Sequence, residues 1–452
     1  MTDFVGRVLR PERDNWVIRS LLHIDFYKFT MGLFIYRYFR GVEVTFAFIN
    51  RHLHIPLARI VDEIELRRQL DHARTLIIQH VDLFFLRSMD VFGYPMFPPD
   101  YLEFLMQLRL GTYKLERVGD QYRLTFTGPW EVVTFWETIA LSIITELFYR
   151  TLMESMTETQ LNVLFGRMYD KLYRKLERLA TRPWIRFADF STRRHFSRLW
   201  QRTAVIMARE MVPTQFTGTS NAQLARELDC TPIGTYAHEL PIVVTALAPR
   251  AQRITAQYTV LPLWASLFPK GGLRITLPDT YGTKAFFKHM PPDLAEQVAR
   301  EWRGFRDDSG DTIANGRQYV GWYAQFGINP KQDGKIMIPS DGLDVDPMFA
   351  IDDALRELIG LANGWGTNFG NGIEGCHPRP DDEAVVRGEK LGISNDVLFR
   401  GHSFICKPAF ANNNPCVKIS NNPNKATGDS YAVAEYTKDF GTEGHVAQDV
   451  LV

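Results

Sequence analysis

A chain of 452 residues is about three times the commonest domain size, so two domains, or one large barrel with an appendage, are expected. Hydrophobic residues make up 45% and charged residues 23%, enough apolar content for a sizeable core. Lys plus Arg and Asp plus Glu both number 52; that balance excludes a general nucleic-acid binder but leaves room for a local basic pocket. Cys230, Cys376, Cys406 and Cys416 lie far apart with no C-x-x-C pair, so neither a disulfide framework nor a structural zinc site is indicated. The amino terminus, MTDFVGRVLRPERDN, alternates charges and offers no apolar signal core. No stretch approaches the roughly 18 uninterrupted apolar residues of a membrane span. These features predict a cytoplasmic protein with no membrane partner.

In chain order, residues 25–39 place Phe26, Phe29, Leu33 and Tyr36 at helical spacing, with Asp25 as N-cap. Val42, Val44, Phe46 and Phe48 alternate with Glu43, Thr45 and Ala47, predicting a half-buried strand. Residues 113–115 and 122–126 flank a Gly119-Asp120 turn and predict a hairpin. Trp136, Ile139, Ile143 and Leu147 stripe one following helix; Leu161, Leu164, Met168 and Leu172 stripe a second. The first 180 residues thus form an α+β unit with antiparallel strands. From about Ile185 short apolar runs (185–187, 232–233, 274–277, 335–338) each precede a polar or glycine-rich corner and a helical pattern. That alternation predicts parallel strands in an α/β sheet or barrel. In a barrel, reactive groups gather in loops after the carboxyl ends of strands. After about Asn395 the strand pattern returns (397–407, then 415–420) without helices between, completing the first unit.

The corners carry the chemistry. Residues 305–311 are dense in charge and read equally well as a solvated loop. Ser340-Asp341-Gly342-Leu343-Asp344 is an acidic corner directly after a strand. Two carboxylates at two strand ends suit the vicinal hydroxyls of a ribose, or a magnesium ion. Gly364-Trp365-Gly366-Thr367-Asn368 suits a phosphate held by unobstructed backbone N–H groups. Among eleven histidines, His238 follows a Gly-Thr corner, where a nucleophilic imidazole faces the barrel mouth. His23, His52, His54, His195, His377 and His402 lack that placement and are read as structural. Phe190 and Tyr27 are core aromatics or a pair of faces for an aromatic ring. Arg193, Arg194 and Arg306 complement anionic oxygens. The residues alone call for a ribose, a phosphate and an anionic or aromatic partner.

Asp25-Phe26-Tyr27-Lys28, the 190–197 segment, Gly218-Thr219-Ser220-Asn221, Gly234-Thr235-Tyr236-Ala237-His238-Glu239, the 279–283 corner, Arg306-Asp307-Asp308-Ser309-Gly310-Asp311 and the 340–344 corner stand in this order. Together they resemble the nicotinate phosphoribosyltransferase family from about residue 20 to 430. The pattern departs from the family at His23-Ile24 and at Leu240-Pro241. The resemblance implies ATP-coupled transfer of phosphoribosyl from phosphoribosyl pyrophosphate (PRPP) to nicotinate, with magnesium, as a salvage step toward NAD. It implies that His238 is transiently phosphorylated, with Asp279 beside it, and that Asp308 and Asp341 hold the ribose hydroxyls in the Asp341-Gly342 corner. The pyridine would stack between Phe190 and Tyr27, the latter from a neighbouring subunit of a homodimer with shared sites, near Arg193, Thr219 and Arg306. Gly366 and Thr367 would line the 5′-phosphate site, and Lys418 and Lys425 would be further phosphate contacts.

The related nicotinamide enzyme carries an acidic residue where this chain has Ser220, so the acid is favoured as substrate. The fold expected is an irregular α/β barrel (residues 151–394) carrying most of the site. An α+β sandwich-like domain, residues 1–150 completed by 395–452, accompanies it. The alternatives are a nicotinamide enzyme, a non-catalytic phosphoribosyl-binding relative, and an unrelated sugar-phosphate barrel enzyme.

Overall fold

A computed structural model describes residues 16–90, 93–269 and 271–442; the signal-segment reading of the amino terminus lies outside the described residues. Three strands from the first part of the chain, β1 (Glu43–Asn50), β2 (Tyr113–Val118) and β3 (Gln121–Pro129), pair antiparallel. Cross-strand apolar pairs such as Phe46 with Phe126 and Leu115 with Leu124 hold their register. The helix Tyr27–Tyr38 begins one residue later than an Asp25 cap predicts, and Asp25 does not cap it. The fully buried Asp25 carboxylate instead accepts from Arg193 Nη1 at 2.6 Å and Thr138 Oγ1 at 3.3 Å. An ion pair across the fold outbids a local cap.

Helix Glu158–Ala180 starts at a capping box from Thr157 and Gln160 and buries its Leu161, Leu164, Met168 and Leu172 stripe. Helix Trp136–Glu154 is apolar nearly all round. With the preceding turn it is long and apolar enough to cross a membrane by length and composition. Because 94% of its most apolar window is buried, it is the central core helix.

The second half supplies parallel strands: β4 (Phe187–Asp189), β5 (Phe216–Thr219), β6 (Ile275–Thr276), β7 (Gly304–Asp307), β8 (Ile336–Pro339), β9 (Gly360–Leu361) and β10 (Asn363–Trp365). They form two sheets, ordered β6-β7-β8-β9 and β10-β4-β5, which meet in the 360–365 segment. Pro232 adds a single parallel bridge to Thr219 where a strand was expected. The charged 305–311 segment is not a solvated loop. Its first residues form β7, hydrogen-bonded between β6 and β8, and Asp307 is fully buried.

A hairpin of β11 (Glu383–Val386) and β12 (Glu389–Ser394) follows, then a helical turn, Asn395–Leu398, where strand was expected. β13 (Phe404–Ala411) returns to pair antiparallel with β1, setting Phe48 opposite Cys406. Helices Trp136–Glu154 and Glu239–Leu247 both pack against β13. With β14 (Asn414–Pro415) the sheet runs β14-β13-β1-β3-β2. The chain therefore joins an α+β unit, made from both ends of the sequence, to an α/β unit whose strand ends point toward it.

Candidate active site

Two adjoining cavities share Tyr27, Arg193, Arg194, Arg306 and Asp308 as walls. The larger, about 400 Å³, is lined by Phe190, Ser220 and Gly366 among others. Glycines set its aromatic walls. A Cβ on Gly364 would stand 2.4 Å from two ring carbons of Phe190, and one on Gly234 would stand 2.7 Å from the Tyr27 nitrogen. The β4 corner is organised by buried Asp189, which accepts from Ser191 N (2.8 Å), Thr219 Oγ1 (2.7 Å) and Gln201 Nε2 (2.8 Å). Arg193 lies against Tyr27, with its Nη1 3.3 Å from the phenol oxygen. Burial opposes its charge, but Tyr27, Asp25 and Glu137 more than compensate, so it stays a cation.

The smaller cavity, about 90 Å³, is lined by charge: Arg51, Lys407, Lys418 and Lys425 face Asp308, Asp341 and His238. His238 sits at the N-cap of helix Glu239–Leu247, and Pro241 falls in that helix's first turn, where proline is tolerated. Its Nε2 lies 2.7 Å from Asp279 Oδ1 and its Nδ1 3.7 Å from Asp308 Oδ2. Burial pushes the imidazole pKa down to about 4, against the pull of Asp279. Asp279 is itself held below the usual carboxylate range, because His238 and Lys418 outweigh its burial. The ring is therefore neutral at pH 7, with its proton on Nε2 facing a carboxylate and its lone pair on Nδ1. Asp308 is also held well below its usual range. Arg306, His238, Lys418 and Lys425 overcome the burial that favours its neutral form. Lys425 Nζ reaches Asp341 Oδ1 at 2.5 Å and the Asp308 carbonyl at 3.0 Å. Burial lowers the Lys418 ammonium to about 8.

Tyr27, Phe190, Arg193, Ser220, Arg306, Asp308, Asp341, His238 and Gly366 thus converge on one cleft, with Asp279 behind His238. Thr219, Gly342 and Thr367 line neither cavity. Thr219 spends its hydroxyl on Asp189, while the Thr367 methyl lies beneath Gly401. Tyr27 and Phe190 line the same cavity within the single chain. The β1-to-β13 pairing brings both halves of the fold to this cleft.

Two cations of the site, Arg51 and Lys407, escaped the sequence reading. Arg51 follows directly on β1, and Lys407 lies within the apolar strand β13. A lysine inside an apolar strand is the signal that was there to find. Lys407 Nζ pairs with Glu137 (3.0 Å). Glu137 in turn pairs with fully buried Lys28 (2.6 Å), and Lys28 with Glu239 (2.5 Å), the residue after His238.

Comparison with known proteins gives this geometry its context. A sequence model described as the nicotinate phosphoribosyltransferase (NAPRTase) family matches residues 185–390, and one for the NAPRTase N-terminal domain matches residues 22–145. A crystal structure of nicotinate phosphoribosyltransferase from Vibrio cholerae superposes with TM-score 0.79 at 26% identity, covering 95% of each chain. The fold is also that of the enzyme from Porphyromonas gingivalis (TM-score 0.78, 23% identity, 94% of this chain and 100% of that one). It is likewise that of a putative nicotinate phosphoribosyltransferase from Saccharomyces cerevisiae (TM-score 0.76, 24% identity, 94% and 99%). The two family models and the superposed two-unit fold give the assignment: the chain belongs to the nicotinate phosphoribosyltransferase family, enzymes that join nicotinate to the phosphoribosyl group of PRPP in NAD salvage.

Proposed function

We propose that this chain couples phosphoribosyl transfer from PRPP to nicotinate with ATP hydrolysis, through transient phosphorylation of His238. The observation that carries this reading is the neutral, buried imidazole, bonded to Asp279 through Nε2, with Nδ1 3.7 Å from Asp308, in the wall of a cavity rich in cations. Nicotinate's ring lies between Tyr27 and Phe190, with its carboxylate toward Arg193 and the Ser220 hydroxyl. An acidic side chain at Ser220 would repel that carboxylate, which supports nicotinate over nicotinamide. Arg306 flanks the pyridine, Asp308 and Asp341 take the ribose hydroxyls, and Gly366 borders the 5′-phosphate. Arg51, Lys407, Lys418 and Lys425 receive pyrophosphate.

The ring nitrogen attacks the anomeric carbon as its bond to pyrophosphate breaks. The carboxylate of Asp308 stabilises the positive charge that develops there, and the lysines stabilise the leaving group. The protein's main contribution is position, since nicotinate itself is the nucleophile. In the ATP step His238 Nδ1 takes the γ-phosphoryl group and ADP leaves, as suits an imidazole that is neutral at pH 7; water then takes the phosphoryl group from Nδ1, releasing phosphate and restoring the imidazole. Among the described residues no group of three His, Cys, Asp or Glu side chains stands ready to hold an ion. Magnesium would enter with the substrate phosphates and offset their charge. Substrates as polar as PRPP and ATP suit a cytoplasmic enzyme.

The test combines nicotinate, PRPP, Mg²⁺ and γ-phosphate-labelled ATP, omitting each in turn. Nicotinate mononucleotide should form, faster with ATP, and acid-labile label should appear on the wild type. Wild type without label defeats the phosphohistidine reading, and preference for nicotinamide at equal concentration defeats the substrate assignment.

A further inference from the structure

The segment after β14 leaves the antiparallel sheet and docks onto the opposite unit through a small core of its own. Val417, Ile419, Ala426, Val433, Tyr436 and Phe440 close over Tyr281, whose ring stacks on Phe440 at 4.3 Å. The backbone N–H groups of Ile419 and Ser420 both donate to the Thr280 carbonyl, at 3.0 and 3.1 Å. Ser420 is fully buried at φ +71°, a left-handed conformation uncommon for a residue with a side chain. That turn aims Asn421 between the corner after β6 and the corner after β7.

There Asn421 makes four hydrogen bonds. Its Oδ1 accepts from Thr283 N (2.8 Å), and its Nδ2 donates to Thr283 Oγ1 (2.8 Å) and to the Ser309 carbonyl (3.1 Å). Its backbone N–H donates to Ser309 Oγ (3.2 Å). A backbone N–H can only donate and a carbonyl can only accept, so only an amide side chain satisfies both ends. The same logic fixes Ser309: its oxygen is taken by the Asn421 N–H, so its hydroxyl proton points at Asp279 Oδ2, 2.7 Å away. Asp279 Oδ1 faces His238 Nε2. Both carboxylate oxygens are thus engaged, and Lys418 Nζ stands 3.9 Å from Oδ2.

We propose that Asn421 and Ser309 are positioning residues that hold Asp279 in the orientation keeping the His238 proton on Nε2. The relay runs from a segment far along the chain to the reacting histidine, and its catalytic meaning rests on the phosphohistidine reading above. Asn421→Asp keeps the acceptor for Thr283 N but loses both donors. Ser309→Ala removes the hydroxyl alone.

For each variant the ATP-stimulated kcat should fall about tenfold or more, the scale of loss when a supporting hydrogen bond is removed. The KM for nicotinate should stay within about twofold, because Asn421 and Ser309 touch neither cavity. Nitrogen-15 NMR of histidine-labelled full-length protein should report His238 wholly as the Nε2–H tautomer in the wild type and as a mixture in both variants. Wild-type tautomer and wild-type kcat in either variant overturn the relay. So do kcat and KM worsening together in step with loss of thermal stability, since that is a purely structural effect. The tautomer readout uses no ATP, so it judges the relay even if the wild type takes no label, a result that strikes the phosphohistidine reading instead.

Discussion

The two cavities share walls but are built by different means. Around the larger, three cationic side chains (Arg193, Arg194, Arg306) meet three carboxylates (Asp25, Asp90, Asp308), and aromatic faces set the shape. Around the smaller, seven cationic side chains meet three carboxylates. The balanced end suits an aromatic ring with one charge, and the cationic end suits the several charges of pyrophosphate. Their construction differs as well. The larger cavity is shaped mainly by short corners on parallel strands, backed by glycine. Several cations of the smaller arrive on β13 and the segment beyond it, residues 404–427. Shape and charge are thus supplied by separate stretches of chain, so each can be damaged while the other stands.

The hardest test of that independence is His238→Ala. It should abolish ATP-stimulated turnover while leaving slower ATP-independent transfer and an unchanged KM for nicotinate. The pH profile of the wild type sharpens the point. Protonation removes the lone pair, and burial holds that protonation down to about pH 4. ATP-stimulated activity should therefore persist through pH 6.5, where an exposed histidine would already be failing, and decline only nearer pH 4. Assays of nicotinate mononucleotide with and without ATP across pH 4 to 8 read both outcomes.

Next in size is Gly364→Ala. The added methyl would sit 2.4 Å from the Phe190 ring and drive it into the larger cavity. Overpacking of this kind costs about 1–3 kcal/mol, so the nicotinate KM should rise by about tenfold or more while the PRPP KM moves far less. Equal effects on both substrates would show that the two ends are not separable. Initial rates with each substrate varied in turn decide it.

The sequence carried the larger cavity better than the smaller. Phe190 and Arg193 lie in a corner directly after a short apolar run, and strand-then-corner is a local pattern that one sequence displays. Gly364 and Gly234 matter because of what approaches them from elsewhere, which no local pattern contains. Arg51 gave no local signal, and Lys407 only that of a lysine within an apolar strand; the register of β13 on β1 brings both to the cleft, and register is set by pairing across more than 300 residues. Asp25 misled for a related reason, since its ion pair with Arg193 spans the two units. β7 was obscured by its own chemistry: Arg306 and Asp307 broke the apolar run that marks a buried parallel strand. Thr219, Gly342 and Thr367 share motifs with true lining residues, but a motif does not say which of its side chains turns inward.

Lys418→Met tests the charged end. Removing one ammonium among seven cations should raise the PRPP KM about tenfold, in the range expected when one charge-assisted contact is lost. Because Lys418 loses its proton near pH 8, the wild-type PRPP KM should climb between pH 7 and 9, as the cation disappears with rising pH. Lys418→Arg stays charged throughout that range and should flatten the climb. A climb that persists unchanged in the arginine variant would assign it to another group.

The smallest expected effect is the most specific. Phe190→Leu keeps an apolar wall but removes a flat face, and stacking adds about 0.5–1.5 kcal/mol beyond area burial. The nicotinate KM should therefore rise about 3- to 10-fold, with ATP stimulation intact, because the ring lies across the shared wall from His238. Phe190→Tyr restores the face and should restore the KM. If leucine instead left the nicotinate KM unchanged and weakened PRPP, the aromatic end would be holding the ribose, and the division of labour between the two cavities would have to be reversed.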